Sequence, residues 1–229
     1  MFNCVDYVIM HKDWKVQEDD LYKALCVGGF RKDPFLCEMD GENIAEYNDR
    51  LNELTGLYWI WKNTSSEYVG LSHYRRFFDD GGKRIGKERI REILQDERYD
   101  IILAEPVRLG WTVRNNIVGC MGYELDRKAY DAFTKAIGKR QPEYLDDFVQ
   151  VMDGNSFHVC NMFVTSRKIM NEFCEWLFSF LTEAADMIDV AGMDYYQRRT
   201  PGYYAEALWS VWLMRQRYRV KNLPVMRKG

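Results

Sequence analysis

The sequence predicts an α/β fold with a mainly parallel central sheet covered on both faces by helices. Three observations carry that expectation. Apolar runs of strand length recur at residues 4–10, 68–73, 99–103, 157–165 and 219–225. Segments of helical period lie between them, at 88–97, 125–137, 143–152, 167–188 and 203–217. No low-complexity linker, internal repeat or composition break divides the 229 residues, so 1–229 is read as a single domain, long enough to bury a substantial core.

Taken in order, the first strand ends at His11 and Lys12. Residues 20–27 read as a short helix closed by Gly28 and Gly29, and 33–42 as a loop rich in turn formers. Asn43, followed three residues later by Glu46, has the form of a capping box. It would start a helix over 44–62 on which Leu51, Leu54, Tyr58 and Trp61 share a face. The strand 68–73 is followed by a polar, Gly-rich loop at 79–83. The helix 88–97 buries Ile90, Ile93 and Leu94 and feeds the strand 99–103, which Pro106 ends. The strongest helical patterns, 167–188 and 203–217, precede a last strand over 219–225.

Composition narrows the function. Hydrophobic residues make up 47% of the chain and aromatics 15%, which excludes a disordered protein. A net charge of −3 with interspersed signs lacks the basic excess of a general nucleic-acid binder, so any anion binding is local. The N-terminal MFNCVDYVIMHKDW has no basic leader and reads as a strand rather than a signal peptide. No segment approaches the roughly 20 apolar residues of a membrane helix. Six cysteines without C-x-x-C spacing read as free, mostly buried thiols of a reducing cytosol, not a zinc site.

The densest chemistry lies at Glu53 to Phe78, where an apolar run ends abruptly in His73, Tyr74, Arg75 and Arg76. Arginine presents a planar fork of donors that fits phosphate oxygens, and histidine adds a donor or a proton switch. The alternative is an edge strand emerging into solvent with ordinary surface arginines. In open parallel sheets ligands bind outside the carboxyl ends of the strands, where His11-Lys12, His73 to Arg76 and Ala104-Glu105 all fall.

Five blocks in order resemble one bacterial family: HK after the first strand with ENIAEYNDRLNELTGLYWIWKN, then VGLSHYRRFF, YDIILAEP, NMFVTSRKIMNEFCEWLFSFL and QRRTPGYYAEALWSVWLM. It is the capsular and exopolysaccharide biosynthesis domain family, a domain of unknown function regarded as glycosyltransferase-like. The resemblance implies a GT-A-type, Rossmann-like αβα sandwich that binds a nucleotide-diphosphate sugar. It implies transfer of a hexose, galactose or galactofuranose among the candidates, to a growing capsular, exopolysaccharide or O-antigen saccharide. The acceptor would be lipid-linked and the site of action cytoplasmic, at the inner face of the membrane with peripheral association. Two departures stand out. LAEP replaces a proline-plus-lysine strand ending, and His158 and Cys160 precede Asn161-Met162-Phe163 in place of an aromatic run.

Transfer needs a neutralised diphosphate leaving group, a base for the acceptor hydroxyl and an oriented sugar. Many GT-A enzymes hold Mn or Mg with a D-x-D tripeptide, which this chain lacks. Arg75 and Arg76, helped by His73, are therefore read as donor-binding residues that replace part of the metal's charge, and no cofactor is required. Asp79 and Asp80 are either a solvated turn or a cation site, and Mn or Mg remains an alternative. His11 and Lys12 would meet the nucleotide or form a polar loop; Asn43 would bind donor or only cap its helix. Tyr58, Trp59 and Trp61 read as core in preference to a sugar platform. Asn161, a costly amide in an apolar strand, either ties down backbone or faces the donor. Glu53 would bind a sugar or pair with an arginine, with Arg199 and Tyr203 as acceptor or supporting residues. Glu206 is the candidate catalytic base, its alternative role being an acid at a helix N-terminus. Two further readings stay open: a nucleotide-sugar hydrolase, and a non-catalytic module that binds nucleotide sugar or glycan.

Overall fold

The structure, a computed structural model, describes residues 2–227. Its strands in chain order are β1 (Cys4–Met10), β2 (Tyr22–Cys26), β3 (Leu36–Cys37), β4 (Tyr68–His73), β5 (Arg76–Phe78), β6 (Ile101–Ala104), β7 (Val107–Arg108), β8 (Ser156–Phe157), β9 (Phe163–Ser166), β10 (Val220–Leu223) and β11 (Val225–Arg227). The main sheet runs β10-β6-β9-β4-β1-β2-β3, with β5 on the end of β4 and β11 on β5. β1 pairs in parallel with β2 and β4, β2 with β3, and β6 with β10; β9 alone runs antiparallel within the seven-strand path. β7 and β8 form a separate small antiparallel pair.

Alternation along the strands gives the sheet two apolar faces. Tyr7, Ile9, Leu25, Val69, Leu71, Ile101 and Leu103 face a large core formed with the helices Glu53–Asn63, Tyr123–Arg140, Arg167–Phe178 and Leu208–Leu213. Cys4, Val8, Met10, Ala24, Cys26, Ile102 and Val164 face a second core closed by Phe77, Phe78, Ile85 and the helical turns over 87–96. The expected αβα sandwich with a mainly parallel sheet is therefore present. The free thiols of Cys4, Cys26, Cys37 and Cys174 are buried and that of Cys160 is half-buried; the side chain of Cys120 lies outside the described residues.

Several elements differ from their sequence reading. Within residues 20–27, Tyr22–Cys26 forms β2, not a helix, because five residues, apolar but for Lys23, show no diagnostic period and β1 offers them a parallel partner. The capping box at Asn43 is not made: Asn43 Oδ1 accepts from Ala45 N at 3.2 Å and leads into a 3₁₀ turn at Ala45–Tyr47. The helix over 44–62 is broken at Asn52, whose φ of 51° and ψ of −124° lie outside the helical regions and separate the short helix Asn48–Leu51 from Glu53–Asn63. The strand over 157–165 is interrupted by Cys160 and Asn161, at φ 70° and 51°. Residues 167–188 divide into helices Arg167–Phe178 and Leu181–Asp186. The last helical segment divides into Thr200–Ala205 and Leu208–Leu213, so Glu206 sits between two helices rather than opening one. The helix Val113–Met121 had no counterpart in the sequence reading.

Candidate functional site

The chain leaves β1, builds β2 and β3 on one side, and returns as β4 on the other. That reversal opens a crevice between the carboxyl ends of β1 and β4, the place where open α/β sheets bind ligands. A cavity of about 460 Å³ occupies it. His11 follows β1, and β4 delivers His73 before turning through Tyr74 and Arg75 into β5.

The antiparallel register aligns three nitrogen-bearing side chains. His73 lies opposite Arg76, and Arg76 lies opposite Arg227 on β11. All three line the cavity, with Arg75 from the turn and Arg199 from the residue that precedes the helix Thr200–Ala205. Among the described residues none of Arg75, Arg76, Arg199 and Arg227 forms an ion pair, and the Nε atoms of Arg76 and Arg199 are buried with no hydrogen-bond partner. Arg75 instead lies over the rings of Tyr74 and Trp14, 5.0 and 5.6 Å from their centroids. Against these four arginines the cavity sets two acids, Glu53 and Glu206. A pocket with excess, unsatisfied guanidinium donors is built for an anion.

The opposite wall depends on close backbone approach. A Cβ on Gly202 would lie 2.3 Å from Asn52 Nδ2 and 3.0 Å from Arg50 O, so glycine lets the helix Thr200–Ala205 sit close against the break that begins the helix Glu53–Asn63. This contact brings Arg199, Tyr203 and Glu206 to Asn52 and Glu53. Gly28, at φ 69°, likewise leaves room for Asn48, whose Oδ1 would lie 2.6 Å from a Cβ there. Buried Glu38 holds that wall by accepting from Gly28 N and from Thr55 Oγ1, both at 2.5 Å.

The left-handed pair Cys160–Asn161 connects the two sides. Cys160 N donates to Glu206 Oε2 at 3.2 Å, and its carbonyl oxygen lies 2.6 Å from His73 Nε2. A carbonyl only accepts, so Nε2 carries the imidazole proton. Burial, reinforced by Arg76 and Arg199, pushes the His73 pKa down although Glu53 and the Cys160 bond oppose it; His73 is therefore a neutral donor. Burial first, then Glu53, raises the Glu206 carboxyl to about 7, against the lowering effects of the Cys160 N–H, Arg76 and Arg199. A carboxylate poised there both accepts and releases a proton near neutrality. Burial, with Lys12 and the arginines, also lowers the pKa of His11.

Of the residues singled out from sequence, His11, Glu53, His73, Arg75, Arg76, Arg199, Tyr203 and Glu206 line one cavity. Lys12, Asn43 and Asn161 do not. Lys12 is exposed, its Nζ 5.9 Å from the centroid of the Tyr74 ring. Asn43 closes its own turn through Gly41 O. Asn161, 2% exposed, stands behind the cavity and donates to Glu53 Oε1 at 2.8 Å. Trp59 is buried and Trp61 stacks on Phe178, so the aromatic helix serves packing. The sequence reading missed Asn52, Tyr195 and Arg227, while His158, noted there as a departure, lies outside the cavity and ties its loop to Ser210 and Asn222.

Asp79 Oδ1 accepts from Gly82 N at 2.7 Å and closes a turn. Among the described residues no three His, Cys, Asp or Glu side chains gather as a metal ion requires. No helix among the described residues is long and apolar enough to cross a membrane.

Comparison with known proteins agrees with the fold. The profile of a family described as "Domain of unknown function (DUF4422)" matches residues 6–217. A solved structure described as an apo WbbM bifunctional glycosyltransferase superposes with a TM-score of 0.82 at 25% identity, over 99% of this chain and 45% of that one. The chain thus spans less than half of that larger protein. No curated protein sequence matches. The fold is GT-A-like, as this likeness and the sheet order together show.

Proposed function

We propose, from the premise that this chain belongs to the DUF4422 family, that it is a glycosyltransferase moving a hexose from a nucleotide-diphosphate sugar to a growing polysaccharide. One observation carries the reading: unpaired arginines and a carboxyl raised to about 7 share a cavity at the switch point of the sheet. The likeness to a bifunctional glycosyltransferase over nearly the whole chain supports it.

In this mechanism His11 and Asn48 flank the nucleotide, and Arg75 and Arg76 take the diphosphate. The acceptor hydroxyl oxygen bonds to the anomeric carbon as the bond from that carbon to the diphosphate oxygen breaks. Glu206 accepts the hydroxyl proton, and the departing electron pair stays on the diphosphate, where the guanidinium groups neutralise it. Glu53, held by Asn161, orients the sugar; Arg199 and Tyr203 support the acceptor side. A lipid-linked saccharide acceptor and action at the cytoplasmic face of the membrane complete the proposal.

Incubation with nucleotide-diphosphate hexoses and a lipid-linked oligosaccharide, with and without Mn, tests it by product analysis. Acceptor extended by one hexose supports transfer. Free hexose alone establishes a hydrolase, and donor binding without turnover establishes a binding module.

A further inference from the structure

Arg227 has no place in the sequence argument, yet the register of β11 sets it directly opposite Arg76. Like charges directly opposite on antiparallel strands repel. Nothing among the described residues offsets this pair by an ion pair: neither arginine has one, and the Arg76 Nε is buried without any acceptor. Both side chains face the same cavity, and His73, on the other side of Arg76 in the row, contributes a neutral ring whose Nε2 proton is already committed to Cys160. An arrangement that costs stability when empty, and that leaves a buried guanidinium donor unsatisfied, is completed by a ligand with several anionic oxygens.

We propose that Arg76 and Arg227 form a two-strand clamp for a diphosphate, so that β11 is a functional strand rather than a packing appendage. This rests on the reading of the cavity as a nucleotide-sugar site and adds a residue and a strand to it. The diphosphate lies between the two guanidinium groups, cancels their repulsion, and draws β11 onto β5. Binding and order of the last strand are therefore linked. A ligand with one phosphate spans only one side of the clamp. The discriminating chemistry is the second phosphate, not the base or the sugar.

The test compares wild type, Arg227→Ala, Arg227→Lys and Arg76→Ala by calorimetry. The probes are inorganic pyrophosphate, the diphosphates UDP, GDP, ADP and CDP, and the matching monophosphates. Arg227→Ala should weaken pyrophosphate and the bound nucleoside diphosphate by roughly tenfold to a hundredfold, the loss of one charge-assisted contact. The monophosphate should weaken by less than about threefold, since it reaches one side only. Arg227→Lys should recover part of the loss, as a point charge without the fork. The ligand-free Arg227→Ala protein should melt no lower than wild type, because a repulsive charge has been removed. Amide exchange at residues 225–227 should slow on adding pyrophosphate to wild type and not to Arg227→Ala. Unchanged diphosphate affinity in Arg227→Ala alongside a loss in Arg76→Ala overturns the clamp and leaves the transferase reading standing. A lower melting temperature with equal losses for mono- and diphosphates also overturns it, as a structural role. Failure of wild type to bind pyrophosphate and all four nucleoside diphosphates overturns the clamp and the donor reading together.

Discussion

Asn161 donates from Nδ2 to Glu53 Oε1 at 2.8 Å, joining a left-handed break in the strand before β9 to the first residue of the helix Glu53–Asn63. The bond places an acid in the cavity without an arginine partner, and that acid in turn helps raise Glu206. In the proposed mechanism Asn161 is thus a positioning residue, one layer behind the cavity.

Asn161→Asp keeps the shape and replaces the donor by a second carboxylate. It should destabilise the fold by about 1–3 kcal/mol, because one buried acceptor loses its partner. It should also shift the pH profile of turnover upward, since a new negative charge disfavours ionisation of Glu206. Chemical denaturation and a pH–rate series read both. An unshifted profile would mean that a charge at position 161 is not felt by Glu206.

Asp6 gives the second prediction. It is fully buried on β1, accepts from Ser72 Oγ at 2.9 Å, and leaves Oδ1 without a partner. Burial raises its carboxyl from the ordinary 3.8 to about 8. The folded state therefore holds a proton that the unfolded chain releases between about pH 4 and pH 8. Its stabilising contribution is complete below the ordinary carboxylate range and is lost as pH rises through the folded value. Asp6→Asn, a neutral isostere, should gain on wild type by on the order of a few kcal/mol between pH 5 and pH 8. Parallel stability curves for the two proteins would contradict it.

Fixed arginines in place of a cation give the third. Transfer should persist in excess chelator, because the charge that stabilises the leaving diphosphate is part of the protein. Complete loss in chelator, restored by Mn, would assign the charge to an ion held by Asp79, Asp80 or Glu105.

Much of this was legible in the chain and some was not, for physical reasons. The strand Tyr68–His73 and its cationic ending could be read directly, because an apolar run that stops in HYRR marks both a strand and its end. Glu206 stood out as an acid inside an apolar helical pattern. β2 was not legible: a short segment, apolar but for Lys23, ahead of Gly28-Gly29 fits a helix end as well as a strand, and only pairing with β1 decides. Asn161 was legible as a buried amide with an unmet need, but its partner Glu53 is 108 residues away and belongs to the tertiary fold. Arg227 carried no signal at all, since its role comes from the antiparallel register of β11 with β5.

The pH dependence of turnover follows from Glu206. With the carboxyl at about 7, the base form is absent at low pH and complete above it. Donor-saturated turnover should rise about tenfold per pH unit below that value and level off above it. A rate that falls as pH rises from 6 to 8 would assign Glu206 to the acid form instead.

The central claim, that Glu206 takes the acceptor proton beside an arginine-bound diphosphate, is tested most directly by Glu206→Gln. Glutamine keeps the shape and can still accept from Cys160 N, but it takes no proton near neutrality. Donor affinity measured by calorimetry should stay within about threefold of wild type, while hexose transfer falls by roughly 10²–10⁴-fold. Transfer at the wild-type rate in Glu206→Gln would contradict the account and move the search for a base to Glu53, the other acid of the cavity.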